Sequence, residues 1–552
     1  MEGSVGWTVE ALDAALGRID TFVNRRLERD TGPGISLALT TRDELIAVAT
    51  AGLADVAAGT PVKPSHLFEF GSIGKSFTAV ALLQLRDEGR LDLDTPISDL
   101  LPLFAIQSDY APITVRHLLT HSSGLSGGND FTPDPRFEVW STRDLHAAHA
   151  PGEAFHYSNL GYKALGLLLE RLEGKPYAEI IRERLLDPLG MHDTVPVIDN
   201  TVRPRLAIGY GPLNNDRPWH PRDPIAPATW LETNTGDGCI CSTASDLTIW
   251  LRMLMNGGVG PAGRILSEES FALLAERVIE MGKDSGLWYG LGLYTDTREG
   301  TELLGHTGGM VGYESAMFAD VARDIGVVVL VNGSGLRLPL VRYAIAVLAA
   351  AADGAELPPL PEEPDPDAVP NADRIAGVYR SDTRTWEIVA SGERLSLIAE
   401  GHRIPLTRLG DTSFRAADPD LAWTAIQVRF DGENAVALVH GGDVLYRAGI
   451  ERPSFEPLPE EWRAYPGHYR SHNPWTSDIR VVAREGRLQL LFTYGEPDGF
   501  DGEQGLVPLG DGLFGIPING YTYDWIRFDT IVDGEALRAT ISGGDYYRFF
   551  TP

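Results

Sequence analysis

Phe68-Glu69-Phe70-Gly71-Ser72-Ile73-Gly74-Lys75-Ser76-Phe77-Thr78 is the most informative segment of the chain. In it a serine precedes a lysine by three residues. The chain has only five lysines (Lys63, Lys75, Lys163, Lys175 and Lys283), and no other one follows a serine at that spacing. Phe77, Val80, Ala81, Leu82, Leu83 and Leu85 predict a helix that is apolar nearly all round and hence buried. Gly71 lets the backbone turn tightly just before it. Ser72 then stands at the helix N-terminus, where the dipole favours a developing anion. Lys75 follows one turn on, on the same face. Desolvation of a buried lysine lowers its pKa toward that of a usable base. An acyl-transfer nucleophile needs this arrangement. The competing reading is a helix-capping serine followed by a chance lysine.

Upstream, Val9, Leu12, Leu16, Ile19, Val23 and Leu27 recur at helical spacing and predict an amphipathic helix over 8–29. Thr31-Gly32-Pro33-Gly34 breaks it, and Ile35–Thr41 and Glu44–Ala51 read as two strands with a tight connection. Downstream, residues 113–128 read as a short helix and a Gly-rich loop. His117 and His121 lie four apart there, but no Glu of the HExxH kind and no third ligand accompany them, so no metal is expected. Tyr157 and Asn159 sit in the turn before a helix with Leu160, Ala164, Leu165, Leu168, Leu169 and Leu172 at core spacing. Ser242–Met255 reads as a further helix. Leu303-Leu304-Gly305-His306-Thr307-Gly308-Gly309 precedes Tyr313–Asp320 and Gly326–Asn332, which read as adjacent strands, and 337–352 as a closing helix.

Between Glu356 and Pro370 there are six prolines and five acids, the composition of a stiff linker. Beyond it helical periodicity gives way to short alternating runs such as Arg394–Ile398, Ile426–Phe430 and Ala435–Val439. This region repeats internally. Gly377-Val378-Tyr379-Arg380-Ser381 returns as Gly467-His468-Tyr469-Arg470-Ser471, and Gly441-Gly442-Asp443 as Gly543-Gly544-Asp545, so the offset grows from 90 to 102 residues. Two copies, mostly strand, predict two small antiparallel barrels. The expected domains are 1–355, a linker over 356–370, and barrels over 371–455 and 456–552.

The 552 residues, 43% apolar and 22% charged, have the composition of a folded multidomain chain. A net charge of −30 argues against nucleic acid and anionic membranes as partners. Arginine far outnumbers lysine, which fits a GC-rich genome better than adaptation to high salt. Cys239 and Cys241 are too few and too close for a disulfide framework or a four-ligand zinc site, and read as small core residues. The first residues carry neither a basic nor an apolar signal region, and no stretch reaches the length of a membrane span, so the cytoplasm is the expected compartment.

Ser72-x-x-Lys75, Tyr157-x-Asn159 and His306-Thr307-Gly308-Gly309 stand in order along residues 8–352. With them the chain resembles the serine β-lactamase and penicillin-binding-protein superfamily, and within it the class C branch with its esterases and D-aminopeptidases. Val115–Leu125 and Leu186-Asp187-Pro188-Leu189-Gly190-Met191 also look familiar for that family. The remainder is similar to the two C-terminal barrels of the family's D-aminopeptidases. The fold implied is an α/β plus all-helical catalytic domain followed by two small antiparallel β-barrels.

The resemblance and the chemistry together imply Ser72 as nucleophile, and Lys75 and Tyr157 as a proton relay in which either could be the base. The N–H groups of Ser72 and Gly309 would form the oxyanion hole. Thr307 and Gly308 belong with Gly309 to the substrate-binding strand, and Asn159 would orient Lys75 or the substrate amide. His306, counted with the catalytic set, stands where the family's β-lactamases and carboxypeptidases usually carry lysine. A histidine there is mostly neutral at pH 7, which argues against those two activities. The expected function is hydrolysis of small amides or short peptides, extending to D-stereospecific aminopeptidase action. The alternatives are a carboxylesterase, a penicillin-recognising β-lactamase or DD-peptidase, or a ligand-binding protein with a relic catalytic domain. No cofactor is implied, and a homo-oligomer is allowed. Residues 493–505 carry Glu496, Asp498, Asp501 and Glu503 without a base. By the resemblance this extra loop would reach the cleft and attract a substrate ammonium.

Overall fold

The computed structural model describes residues 7–29, 32–128, 130, 134–141, 143, 145–335, 337–362, 365–492 and 503–548. They divide into two compact units. The first comprises residues up to Gly211 and Ile225–Leu360; the second comprises Pro212–Pro224 and the chain from Pro361.

The first unit is built on a nine-stranded antiparallel sheet. Its central strands are Leu303–Met310, Tyr313–Asp320, Ile325–Val331, Gly34–Thr40 and Leu45–Asp55, in that spatial order. Ile325–Val331 is buried at every position because both faces of the sheet are covered. Val327, Val329 and Val331 pack with helices Val9–Arg29 and Arg337–Ala352 on one side. Val328 and Leu330 face a larger core that holds helices Gly74–Asp87, Asn159–Glu173 and Ala244–Met255. The strand period of two thus sorts one apolar run into two cores.

The Leu303–Met310 segment is itself a strand, which its glycines obscure in the sequence. Those glycines are set by close approach. A Cβ at Gly305 would collide with Met317 O, and one at Gly308 with Phe70 O. The expected Ser242–Met255 helix begins at Ala244, because Thr243 caps it by accepting from Asp246 N and Ser242 lies in a short strand. Cys239 and Cys241 are buried free thiols.

In the second unit, eight strands from Gly377–Arg380 to Asp443–Arg447 close a barrel. Nine strands between Gly467–Arg470 and Gly544–Arg548 form a sheet whose two edge strands, Glu503–Gly505 and Val507–Gly510, are consecutive in the chain, so it is nearly closed. The Gly-x-Tyr-Arg repeat has a physical cause. Tyr379 and Tyr469 are fully buried, and their hydroxyls donate to Ile375 O at 2.6 Å and Tyr465 O at 2.7 Å. Arg447 and Arg548 lie over the two rings, 5.9 and 5.3 Å from the centroids. Gly377 and Gly467 leave room for those guanidinium groups.

Glu485 joins the barrels, accepting from Arg429 at 2.7 and 3.1 Å and from Tyr446 Oη at 3.1 Å. Segment Pro212–Pro224 is held within this unit through Arg415 with Asp223 and Arg222 with Asp367. Of the acidic loop, Glu496, Asp498 and Asp501 lie outside the described residues, and Glu503 pairs with buried Arg484 at 2.5 Å. Among the described residues, no helix is long and apolar enough to cross a membrane.

Candidate active site

The serine turn is fixed by its neighbours before any catalytic group is considered. Gly71-Ser72-Ile73 forms a 3-10 turn that runs directly into helix Gly74–Asp87. Gly71 has φ +55°, and a Cβ there would collide with Gly309 O, so glycine is required on both counts. Phe70 O accepts from Ser315 Oγ at 2.7 Å, and Phe70 N donates to Ile240 O at 3.2 Å. These bonds tie the turn to strand Tyr313–Asp320 and to Ile240, while Gly308 and Gly309 bring strand Leu303–Met310 up against it. The helix behind it is buried along eleven of its fourteen residues, with Phe77 stacked on Trp250.

Lys75 has no exposed surface, whereas Ser72, Tyr157 and Asn159 are partly exposed. Lys75 Nζ meets three acceptors: Ser72 Oγ at 3.0 Å, Asn159 Oδ1 at 2.7 Å and Asp237 O at 2.9 Å. An ammonium donates to all three. A neutral amine donates to Asn159 and Asp237 and accepts the serine proton. The same geometry therefore serves both protonation states, as a base requires. Burial pulls Lys75 down to about 8, and Asp237 and Asp130 oppose a larger fall.

Burial holds the Tyr157 phenol well above its ordinary value, against the opposing pull of the neighbouring Ser72 hydroxyl. Its ring lies 4.8 Å from Lys75 Nζ and 4.2 Å from the His121 ring. Asn159 is the first residue of its helix, after the capping Ser158. Its Oδ1 is on Lys75, and its Nδ2 donates to Asp130 Oδ2 at 3.0 Å. A carboxylate only accepts, so the amide cannot be turned the other way. Both ends of Asn159 are engaged by protein, the oxygen by Lys75 and the nitrogen by Asp130.

His306 is fully buried. Nε2 lies 3.1 Å from Tyr289 Oη, Nδ1 is engaged by Thr307 O, and the ring stacks on Tyr294 at 4.1 Å. Burial pushes the imidazole down to about 3, so it is neutral at any working pH. The structure thus sets His306 inside the wall of the site and not on the cleft surface. Thr307 and Gly309 are partly exposed along the same strand, and Gly308 is buried against the serine turn.

Behind the cleft stands a network that the sequence reading did not find. Lys163, four residues after Asn159 on the same helix, pairs with Asp130 and with Glu138 Oε2 at 2.6 Å. Burial alone would raise the Asp130 carboxyl, but Lys163 and Asn159 outweigh it and hold Asp130 below its ordinary value. Burial raises Glu138. The available signal was a rare lysine one helical turn from Asn159. Among the described residues, no group of three His, Cys, Asp or Glu could hold a metal, and His117 and His121 point to different tasks. His117 closes the Thr114 capping box, and His121 Nδ1 accepts from Ser158 N at 3.0 Å.

A helical layer set against an antiparallel sheet, with a serine turn clamped between them and a lysine under the serine, is a β-lactamase-type hydrolase fold. The chain belongs to the Beta-lactamase family, whose model matches residues 19–351. It is 30% identical over 367 residues to penicillin-binding protein 4 of Amycolatopsis lactamdurans, a match that spans 63% of this chain and 93% of that one. Among solved structures it is similar to D-amino acid amidase from Ochrobactrum anthropi SV3, with 26% identity, a TM-score of 0.52, and coverage of 62% of this chain and 99% of the amidase. The octameric penicillin-binding protein homologue from Pyrococcus abyssi shares the fold across 86% of this chain and 98% of its own, at 24% identity and a TM-score of 0.56.

Proposed function

We propose that this chain is a serine hydrolase that works through an acyl-enzyme on small amides or short peptides. The observation that carries the reading is Lys75 Nζ at 3.0 Å from Ser72 Oγ, buried and drawn down to about 8. In this reading Ser72 Oγ attacks the substrate carbonyl and its proton passes to Lys75. Tyr157, a protonated phenol beside Ser72, supplies the proton to the leaving nitrogen as the C–N bond breaks and is reprotonated from Lys75. The N–H groups of Ser72 and Gly309 stabilise the oxyanion. His306, neutral and buried, supports Tyr289 and the strand that carries Gly309.

The amide class, including amides of D-amino acids, is supported by the likeness to the Ochrobactrum amidase. A carboxylesterase is the second reading, because the same machinery cleaves esters and no fixed ammonium stands at position 306 to select a carboxylated substrate. The test is a panel of D- and L-amino acid p-nitroanilides beside p-nitrophenyl esters, with fluorophosphonate labelling of wild type and Ser72→Ala. Labelling and turnover that both vanish in Ser72→Ala support the reading. Turnover that survives in Ser72→Ala overturns it.

A further inference from the structure

His121 stands just past helix Val115–Leu119, after the Thr120 C-cap, in the position where a chain usually places glycine. Its φ is +55°, a left-handed conformation that strains a residue with a Cβ. The side chain has no exposed surface. Nδ1 accepts from Ser158 N at 3.0 Å, so the neutral ring carries its proton on Nε2. Among the described residues, that Nε2 has no hydrogen-bond partner. Backbone strain and an unmet buried donor both lower stability. Folding alone would be better served by glycine at the turn or by an apolar ring in the core.

The contacts of this residue converge on Tyr157. His156 N donates to His121 O at 2.8 Å, and Ser158 N donates to its Nδ1. One residue thus holds both chain neighbours of the tyrosine, one through its carbonyl and the other through its ring. The same ring lies 4.2 Å from the Tyr157 ring, with 34° between the planes, and 4.7 and 5.0 Å from those of Tyr289 and Tyr162. Other bonds fix the turn after the tyrosine: Ser158 Oγ donates to Ser126 O at 2.7 Å, and Asn159 N to Gly127 O at 2.8 Å. His121 grips Tyr157 itself, on both sides and at its ring.

We propose that His121 is a positioning residue that aims the Tyr157 hydroxyl at the leaving group. The inference rests on the serine hydrolase reading. There the Tyr157 Oη–H proton goes to the leaving nitrogen as the C–N electron pair moves onto it, and Lys75 returns a proton to the phenolate. His121 exchanges no proton in this step. Its task is to remain an acceptor and a packed ring. Burial keeps the imidazole uncharged, and the Lys75 ammonium acts in the same sense. An imidazolium could not accept from Ser158 N, and the grip would open.

The experiment compares one acyl group as its p-nitroanilide and as its p-nitrophenyl ester. The anilide nitrogen must gain a proton to leave, whereas p-nitrophenolate leaves without one. His121→Gly removes ring and acceptor and suits the turn. His121→Asn tolerates the same turn and keeps an acceptor in the place of Nδ1. In His121→Gly, kcat should fall about 100-fold for the anilide and less than about tenfold for the ester, with KM within about threefold and fluorophosphonate labelling retained. His121→Asn should hold anilide turnover within about tenfold of wild type. Added to Tyr157→Phe, His121→Gly should cost less than about a further threefold, because the group it aims is gone. Equal losses on the two substrates, or an undiminished loss in the Tyr157→Phe background, would mark a merely structural residue and overturn the proposal. So would an Asn variant as poor as the Gly one. Should His121→Gly not fold, His121→Leu, which refills the volume without an acceptor, takes its place in the same comparison. A wild-type protein that fluorophosphonate does not label would instead sink the hydrolase reading itself, so the two failures are distinguishable.

Discussion

Lys75 and Asn159 are joined at 2.7 Å across 84 residues of sequence, and the far end of the same amide is tied to Asp130 at 3.0 Å. The asparagine is therefore a spacer between the lysine and a partly buried anion. Replacing it by alanine removes an acceptor from Lys75 and a donor from Asp130 and leaves the cleft surface nearly intact. Asn159→Ala should lower kcat by roughly 10- to 100-fold with KM within about threefold, the pattern of a group that acts on the transition state alone. Steady-state kinetics decide it, and a large KM change with kcat preserved would assign Asn159 to the substrate.

Ser72→Ala and Lys75→Ala should each lower kcat by at least about 10³, because members of one catalytic unit fail together. The double variant should be little worse than either single one. Near-normal turnover by purified Ser72→Ala would end the serine mechanism.

With Lys75 drawn down to about 8, only about a tenth of the amine is neutral at pH 7. Activity should rise with pH and level off above about 8, and it should show no limb near 6.5, because His306 stays neutral there. A kcat/KM profile from pH 5 to 10 reads this directly. A dominant inflection near 6.5 that disappears in His306→Phe would count against it.

His121 and His306 are buried and held below their ordinary value of 6.5 by desolvation. As pH falls, the unfolded chain takes up protons that the folded chain refuses. Stability is therefore fully present above about 6.5 and declines on acidification, by up to about 1.4 kcal/mol per pH unit for each imidazole. Denaturation midpoints between pH 7 and 4.5 should fall less steeply in His306→Phe than in wild type. Parallel slopes would show that His306 is charged in the folded state.

Gly71→Ala should be severe. The residue sits at φ +55° and its Cβ would strike Gly309 O, so strain and overlap act together at the turn that carries Ser72. A loss of about 2 kcal/mol or more in chemical denaturation is expected, with little remaining fluorophosphonate labelling. Gly89→Ala is the control. It shares positive φ, +70°, but meets open space, so it should lose stability without losing labelling.

Much of this protein was legible in local sequence because the relevant physics is local. Ser72 and Lys75 are one turn apart on a helix that is buried because it is apolar nearly all round, and that relation survives any packing. The two barrels were readable for a similar reason. Each copy of Gly-x-Tyr-Arg places a tyrosine that bonds four residues back, a contact within the repeat itself. The order of helix, strand pair and nucleophile helix followed from hydrophobic period in the same way.

What the sequence could not settle lies across long separations. Asp237 is 162 residues from the lysine it touches, and Asp130 reaches Lys75 only through Asn159. Contacts of this kind are set by which loops the core brings together, and no periodicity records them. The sequence showed a histidine at 306 and its ordinary pKa. Only packing against Tyr289 and Tyr294 decided that it is buried and neutral, because desolvation is a property of the surroundings and not of the residue. Pro212–Pro224 likewise reads as an ordinary loop of the first unit. It joins the second because Arg415 and Asp367, far along the chain, supply the partners for Asp223 and Arg222.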